Sequence, residues 1–389
     1  MVLVGREITV LGAGIGGLCA AICLAARGAR VTVLEQADEI REVGAGIQIS
    51  PNGMHVLNAL GLGDRLSAMA MQSRAVVLRD FADGREVLRM PLPESPGFML
   101  THRADLITLL AEAARELEVA IELGCKVDSV TLSPGMAPSL KLAGGQTRSA
   151  ELLVGADGLH SQVRKAVDKP AKPFFTGQVA WRMILPQTHA PDPEASVFMG
   201  PGRHVVSYPL REGTVRNIVA VEERDRWTAE GWTQPDDPMR VARAFASFAP
   251  QVRNWMKAAQ EVHVWGLFRH EVAQSWYRDG AVILGDAAHP TLPFLAQGAN
   301  MALEDAWVLT DSLAREESAE AGFALYEARR AARVTKTVQA ANSNARAYHL
   351  PQGPVRSMAH AGLSLLNRFA PHLPLRKFDW LYGEDVTKG

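Results

Sequence analysis

A glycine loop between a strand and a helix near the start, short alternating strands with concentrated tryptophan in the middle, and a long helix near the end predict an α/β protein. The expected architecture is a Rossmann-like nucleotide-binding domain with a GxGxxG βαβ start, an inserted and mainly antiparallel β-sheet domain, and a C-terminal helical segment. The first is expected to be discontinuous, over 1–73, 97–173 and 275–318. The sheet domain takes 74–96 and 174–274, and the helices take 319–389.

The opening carries the strongest signal. Ile8 to Leu11 is a short apolar, partly β-branched run, which reads as a buried strand. Gly12, Gly14 and Gly17 follow with G-x-G-x-x-G spacing. Gly12 permits the tight turn, Gly14 lets a backbone approach a pyrophosphate, and Gly17 lets helix and strand pack closely. Leu18 to Ala26 is rich in Ala and Leu and reads as a helix, and its N-terminus offers free N–H groups to phosphates. Arg30 to Leu34 is a second strand. Glu35 closes it about 20 residues on, where a carboxylate can accept bonds from a ribose.

Further on, Gly44 and Gly46 allow close approach to something flat or to another loop. Gln48 in this loop either bonds the loop backbone or faces a pocket wall. Ser50, Pro51 and Asn52 start a helix that Gly61 and Gly63 end. Arg74 to Met90 alternates around Asp83-Gly84, a hairpin signal. Phe98 to Thr101 is a strand, with a helix from about Ala104 to Leu117. Strands are expected at Val119–Glu122 and Lys126–Leu132, then a strand-rich ribbon to about Ala143. Glu151 to Val154 runs into Gly155-Ala-Asp157-Gly158.

Between Phe174 and Phe268 the segments 179–185, 195–199, 204–209, 215–222 and 262–267 read as strands of an antiparallel sheet, with one helix from Met239 to Met256. Trp181, Trp227, Trp232, Trp255 and Trp265 fall here. Ala281 to Leu284 is a buried strand running into Gly285-Asp286. A helix starts near Asn300, and Glu320 to about His349 is a long basic helix.

Composition excludes several classes. The 41 basic and 42 acidic residues leave a net charge of −1, so there is no basic footprint for nucleic acid and no polybasic membrane patch. No apolar run reaches the ~20 residues of a membrane span. The glycine loop interrupts what could pass for a signal peptide, so a cytoplasmic protein is expected. Cys19, Cys23 and Cys125 have no disulfide or metal spacing, and no metal site is expected.

Three strand ends therefore carry turns suited to phosphates or polyols, at 12–17, 155–158 and 285–286. Asp286, at the carboxyl end of a buried strand, suits sugar-alcohol hydroxyls. The ribityl chain of FAD has such hydroxyls and NAD does not, which argues against a flavin-free NAD dehydrogenase. The alternative is that Gly285-Asp286 is only an N-cap turn. The helix starting at Gly298-Ala299-Asn300 can aim N–H groups and a positive end at a neighbouring ring.

In these motifs the chain resembles the group A flavoprotein monooxygenases, the para-hydroxybenzoate hydroxylase-like family. The matching signatures are Gly12–Gly17 with Glu35, Gly155–Gly158 with Arg164, Gly285-Asp286 with His289-Pro290, and the Ala296–Ala306 run. The resemblance implies an FAD enzyme that consumes NADH or NADPH as a transient co-substrate and uses O2. It would hydroxylate a small aromatic or heteroaromatic acid through a flavin C4a-hydroperoxide. Position by position, it implies that Gly12, Gly14, Ile15 and Glu35 hold the ADP half of FAD. Arg103 would contact FAD, and Val127 would hold the adenine side through its backbone. Asp157 and Gly158 would support the pyrophosphate and the passage of the nicotinamide, Asp286 would bind the ribityl chain, and backbone groups of Gly298, Ala299 and Asn300 would face the flavin pyrimidine.

The expected substrate side is His204 with Tyr208. Residues four apart on a strand share a face, and a His can take a phenol proton, which makes the ring a better nucleophile. Spacing alone does not separate this from two sheet residues with ordinary bonds. The strand resembles those of 3-hydroxybenzoate and 6-hydroxynicotinate hydroxylases. Nicotinate-type members can carry a His where Gln48 stands, and some 3-hydroxybenzoate-type members a Gln near Pro293. Both are missing, so the resemblance fixes no substrate. Arg182 and Arg211 are candidate carboxylate partners, and His289 reads as structural. The alternative activity is an FAD-dependent reductase, dehydrogenase or monooxygenase acting on a larger hydrophobic substrate. The C-terminal helices could pair protomers into a homodimer.

Overall fold

Strand β1 (Glu7–Leu11), helix α1 (Ile15–Ala25) and strand β2 (Arg30–Leu34) form the expected βαβ unit. Both strands alternate exposed and buried positions before ending in two buried residues, because one end lies in the core and the other meets solvent. Helix α1 is apolar nearly all round and is buried from Ile15 to Leu24, Cys19 and Cys23 included. This computed structural model describes residues 2–40, 45–169, 172–187, 191–224 and 234–388. Within these, 344–347 are described by their backbone only. Gly44, Trp227 and Trp232 lie outside the described residues.

The chain continues through β3 (Gly46–Ile49), α2 (Pro51–Ala59), α3 (Gly63–Met69), β4 (Met71–Ser73), β5 (Ala75–Asp80), β6 (Glu86–Pro91), β7 (Phe98–His102) and α4 (Arg103–Glu116). The predicted hairpin is β5–β6, and Pro91 closes β6 at a sheet edge where no ladder donor is needed. Then come β8 (Ala120–Glu122), β9 (Val127–Thr131), β10 (Ser139–Leu142), β11 (Thr147–Ser149), β12 (Leu152–Gly155) and α5 (Gln162–Val167). Strands β13 (Phe174–Pro186), β14 (Glu194–Gly200), β15 (Arg203–Leu210), β16 (Val215–Glu223) and β17 (Gln234–Asp236) follow.

One expectation fails here. The predicted single helix over 239–256 is two, α6 (Pro238–Ala244) and α7 (Pro250–Ala258). Pro250 has no N–H to continue a helix, but its fixed φ suits the first position of a new one. After β18 (Val262–Arg269), β19 (Tyr277–Arg278) and β20 (Ala281–Ile283), the helices α8 (Gly298–Arg315) and α9 (Ala319–Tyr348) pack together. Then α10 (Pro354–Phe369), α11 (Leu373–Arg376) and α12 (Asp379–Tyr382) close the chain.

Two large sheets organise these elements. The first has the order β19-β20-β12-β1-β2-β8 and is parallel apart from β19. Its strands end at the three glycine turns, so Gly12, Gly155 and Gly285 come together at one edge. The second has the order β17-β18-β13-β16-β15-β14-β5-β6. It is antiparallel except where the hairpin joins it through the parallel pair β14–β5. One face, with Val179, Trp181 and Met183, packs on Val241 and Phe245 of α6 and on Val252 of α7. The opposite face, with Arg182, His204, Val206 and Tyr208, is turned to the cavity between the sheets.

Candidate active site

The glycine loop after β1 is glycine for steric reasons. Gly12 has φ +103°, and a Cβ there would sit 2.5 Å from the carbonyl oxygen of Ala156. A Cβ on Gly17 would sit 1.9 Å from the carbonyl oxygen of Gly12, so Gly17 lies under the loop and does not line the cavity. Gly14 has open space where its Cβ would be, and it caps α1 at the cavity edge. The loop thus presents bare backbone and a helix N-terminus to any anion placed there.

Glu35 reaches back over this loop. One of its carboxylate oxygens accepts from the Ala13 N–H at 2.8 Å and the other from the Ala37 N–H at 2.9 Å. Both bonds orient the carboxylate beside the groove and leave lone pairs for hydroxyl donors. Val127 lines the same end of the cavity, and Arg103 lines it from the start of α4. Asp157 also lines it, but its carboxylate serves α5: it accepts from the Ser161 hydroxyl and from the Gln162 N–H at 2.7 Å.

Asp286 follows β20 on the cavity wall. Protein surrounds it while its carboxyl opens into the cavity, and burial pushes its pKa up despite the nearby His289 and Arg103. Its side chain is accessible from the cavity, where a carboxyl can accept from a hydroxyl donor. Helix α8 begins at Gly298, and its first helical bond runs from Met301 N–H to the Gln297 carbonyl. Its first N–H groups therefore have no partner within the helix. Gly298 and Ala299 line the cavity.

Asn300 offers its backbone to the helix start. Its side chain turns away from the cavity, accepts from Ser50 N–H at 3.0 Å and donates to the Gln48 carbonyl at 3.0 Å. It stitches β3 to α8, so only its backbone belongs to the helix end. Behind it, Glu304 and Asp305 are fully buried against Arg330, and Arg333 joins Glu304 to the carbonyls of Trp380 and Leu381. Burial alone would raise Asp305, but His289 and Arg330 hold it down to about 2. His289 is spent on this ion network, which fixes α8 in place.

On the sheet side, His204 and Tyr208 share one face of β15, as their spacing required. Both are buried. Burial pushes the His204 imidazole well below its usual range and the Tyr208 phenol well above, so both are neutral near pH 7. Tyr208 hydrogen-bonds the Gln48 side chain, which places Gln48 on the pocket wall. Gly46 makes this possible, since a Cβ there would lie 2.5 Å from the Tyr208 ring. Of the two arginines, Arg182 lines the cavity with its guanidinium 5.9 Å from the Trp265 ring centre. Arg211 is paired with Asp105 outside it.

The fold adds aromatic lining residues that no motif marks: Phe294, Tyr348, Phe378 and Tyr382. Phe294 comes from the turn before α8 and the other three from the C-terminal segment, all with only ordinary apolar patterning. Cofactor groove and substrate chamber form one continuous cavity of about 680 Å³. Among the described residues, no group of three His, Cys, Asp or Glu side chains could hold a metal ion. No described helix is long and apolar enough to cross a membrane.

A bare-backbone loop, an acid at the end of β2, an acid on the third turn and a helix N-terminus on one groove fit an extended dinucleotide with a polyol linker. A family model described as FAD binding domain matches residues 6–341. The chain belongs to this family of FAD-dependent monooxygenases. It is 38% identical over 362 residues to a 3-amino-4-hydroxybenzoate 2-monooxygenase of Streptomyces cremeus, covering 90% of this chain and 89% of that one. It is 32% identical over 395 residues to a 3-hydroxybenzoate 6-hydroxylase of Polaromonas naphthalenivorans, covering 97% and 96%. Klebsiella pneumoniae HpxO, solved with FAD and uric acid, superposes with a TM-score of 0.83 at 26% identity, covering 99% of this chain and 97% of that one. The protein is an aromatic hydroxylase with FAD as its cofactor, and NAD(P)H is the co-substrate typical of such flavoproteins.

Proposed function

We propose that this flavoprotein consumes NAD(P)H and O2 to hydroxylate a small aromatic acid that carries a ring hydroxyl. The observation that carries the reading is the pairing of His204 and Tyr208 in the same cavity as Asp286 and the α8 N-terminus. Gly12, Gly14 and Ile15 take the pyrophosphate, Glu35 the adenosine ribose, and the Val127 backbone the adenine. Arg103 and Asp286 hold the middle of FAD, with Gly298, Ala299 and the Asn300 backbone at its ring. Asp157 acts through α5, whose position it fixes. Residues 74–96 and 174–274 supply the substrate wall.

Bound FAD would supply an electrophilic oxygen atom derived from O2, which calls for an electron-rich ring carbon as its partner. The residues of this chain prepare that ring. His204, neutral and with Nδ1 occupied by a neighbour, takes the phenol proton at Nε2. Tyr208, neutral and oriented by Gln48, donates to the resulting phenolate oxygen. Arg182 balances the carboxylate. The apolar walls, among them Val197, Val206 and Phe294, exclude water and strengthen each of these interactions.

The relatives' substrates make 3-amino-4-hydroxybenzoate and 3-hydroxybenzoate the first acids to test. His204→Ala is expected to lower hydroxylation by about 10²-fold while FAD stays bound. An unchanged rate would remove His204 from the mechanism. Those apolar walls also favour a second reading, FAD chemistry on a larger hydrophobic substrate. In its reductase or dehydrogenase form it gives turnover without oxygen entering the product. In its monooxygenase form it gives oxygenation of a bulky substrate and no response to small acids.

A further inference from the structure

We propose that His349 is the positioning and relay residue of this site: it receives from His204 the proton taken from the substrate and passes it to Glu223, at the protein surface. The proposal rests on the reading of His204 as the base.

The geometry is continuous. His204 Nδ1 lies 2.6 Å from His349 Nε2, and His349 Nδ1 lies 2.7 Å from Glu223 Oε1. His349 follows the last residue of α9, does not line the cavity, and is almost completely buried, whereas the Glu223 side chain is 54% exposed. The three groups thus run from the cavity, along one face of the sheet, to solvent. Among the described residues, the side chains hydrogen-bonded to His349 are His204 on β15, Glu223 on β16 and Gln178 on β13, whose Nε2 is 3.4 Å from Nδ1. Glu223 is the charged one.

The carboxylate can only accept, which sets every tautomer in the row. His349 carries its proton on Nδ1 and accepts at Nε2. His204 then carries its proton on Nδ1 and keeps a lone pair on Nε2. When the substrate O–H bond breaks, a new N–H bond forms at His204 Nε2. The Nδ1 proton of His204 moves to His349 Nε2, and the Nδ1 proton of His349 moves to the Glu223 carboxylate. Both imidazoles end neutral with their tautomers exchanged, and one proton leaves to water. Reprotonation of the product oxygen runs the row backwards and restores the starting tautomers.

The row answers a physical difficulty. Burial disfavours a charged imidazolium at His204 and also at His349, where Glu223 offsets only part of the penalty. A base that had to store the proton there would be weak. One that hands it to an exposed carboxylate forms no lasting buried cation.

The test uses the FAD-loaded full chain with 3-amino-4-hydroxybenzoate as the probe. Rapid mixing in weak buffer reads the probe's phenolate absorbance and the proton reaching an indicator dye. In the wild type the two signals rise together. His349→Gln keeps a side chain that accepts from His204 Nδ1 but cannot pass a proton on. It is expected to slow proton release at least about tenfold, with probe affinity changed less than about twofold. Glu223→Gln, at the exposed end and harmless to packing, is expected to slow it in the same direction and carries the test if the first variant does not fold. Release at the wild-type rate in either folded variant overturns the relay, while loss of the phenolate in His204→Ala leaves the base in place. No phenolate in the wild type, or an unchanged one in His204→Ala, overturns the base and the relay together.

Discussion

Asp286 is the residue on which the proposed FAD contact is most directly tested. It stands at the end of β20, opens into the groove, and has its pKa raised by burial. Asp286→Ala is expected to weaken FAD roughly tenfold or more, since hydrogen bonds involving charged groups contribute about 1.5–3 kcal/mol. Recovery of flavin fluorescence on dilution measures this, and unchanged retention would remove Asp286 from the contact. Such residues were legible because each sits at a fixed offset from a local strand–turn signal. Glu35 and Asp286 could be read this way, and so could His204 and Tyr208 from their spacing on one strand. His349 could not. It lies 145 residues from His204 and meets it only where the end of α9 reaches β15. Asn300 was legible as part of a helix start, but the direction of its side chain depends on β3, some 250 residues earlier.

The elements follow the sequence closely wherever periodicity and turn chemistry act together. The βαβ start, the β5–β6 hairpin and the long α9 all form as expected. The split between α6 and α7 was readable from Pro250 alone, had the proline been weighed above the apolar spacing. The tightest element is the loop between β1 and α1. Gly17→Ala would drive a Cβ into the Gly12 carbonyl. The expected result is a loss of about 3–5 kcal/mol of stability together with loss of bound flavin, seen by thermal unfolding and by absorbance. A variant that keeps both would mean that the loop relaxes without cost.

The whole molecule joins two sheets across one cavity, and several of its histidines are buried. His102, His204, His349 and His360 all have pKa values lowered by burial. The unfolded chain binds protons below about pH 6.5 that the folded chain refuses, so stability rises with pH through that window. The buried Asp305, held down to about 2, and Glu304, also lowered, act in the same direction below the ordinary carboxylate range. The melting temperature is therefore expected to fall steadily from pH 7.5 to pH 5, and a flat or rising curve would contradict this. The central claim is that the cavity brings an electron-rich ring to the flavin and oxygenates it. Turnover with NAD(P)H, a hydroxybenzoate and ¹⁸O-labelled O2 tests it most directly. The account predicts a hydroxylated acid carrying one labelled oxygen atom. Turnover of NAD(P)H that leaves every ring unlabelled would contradict it.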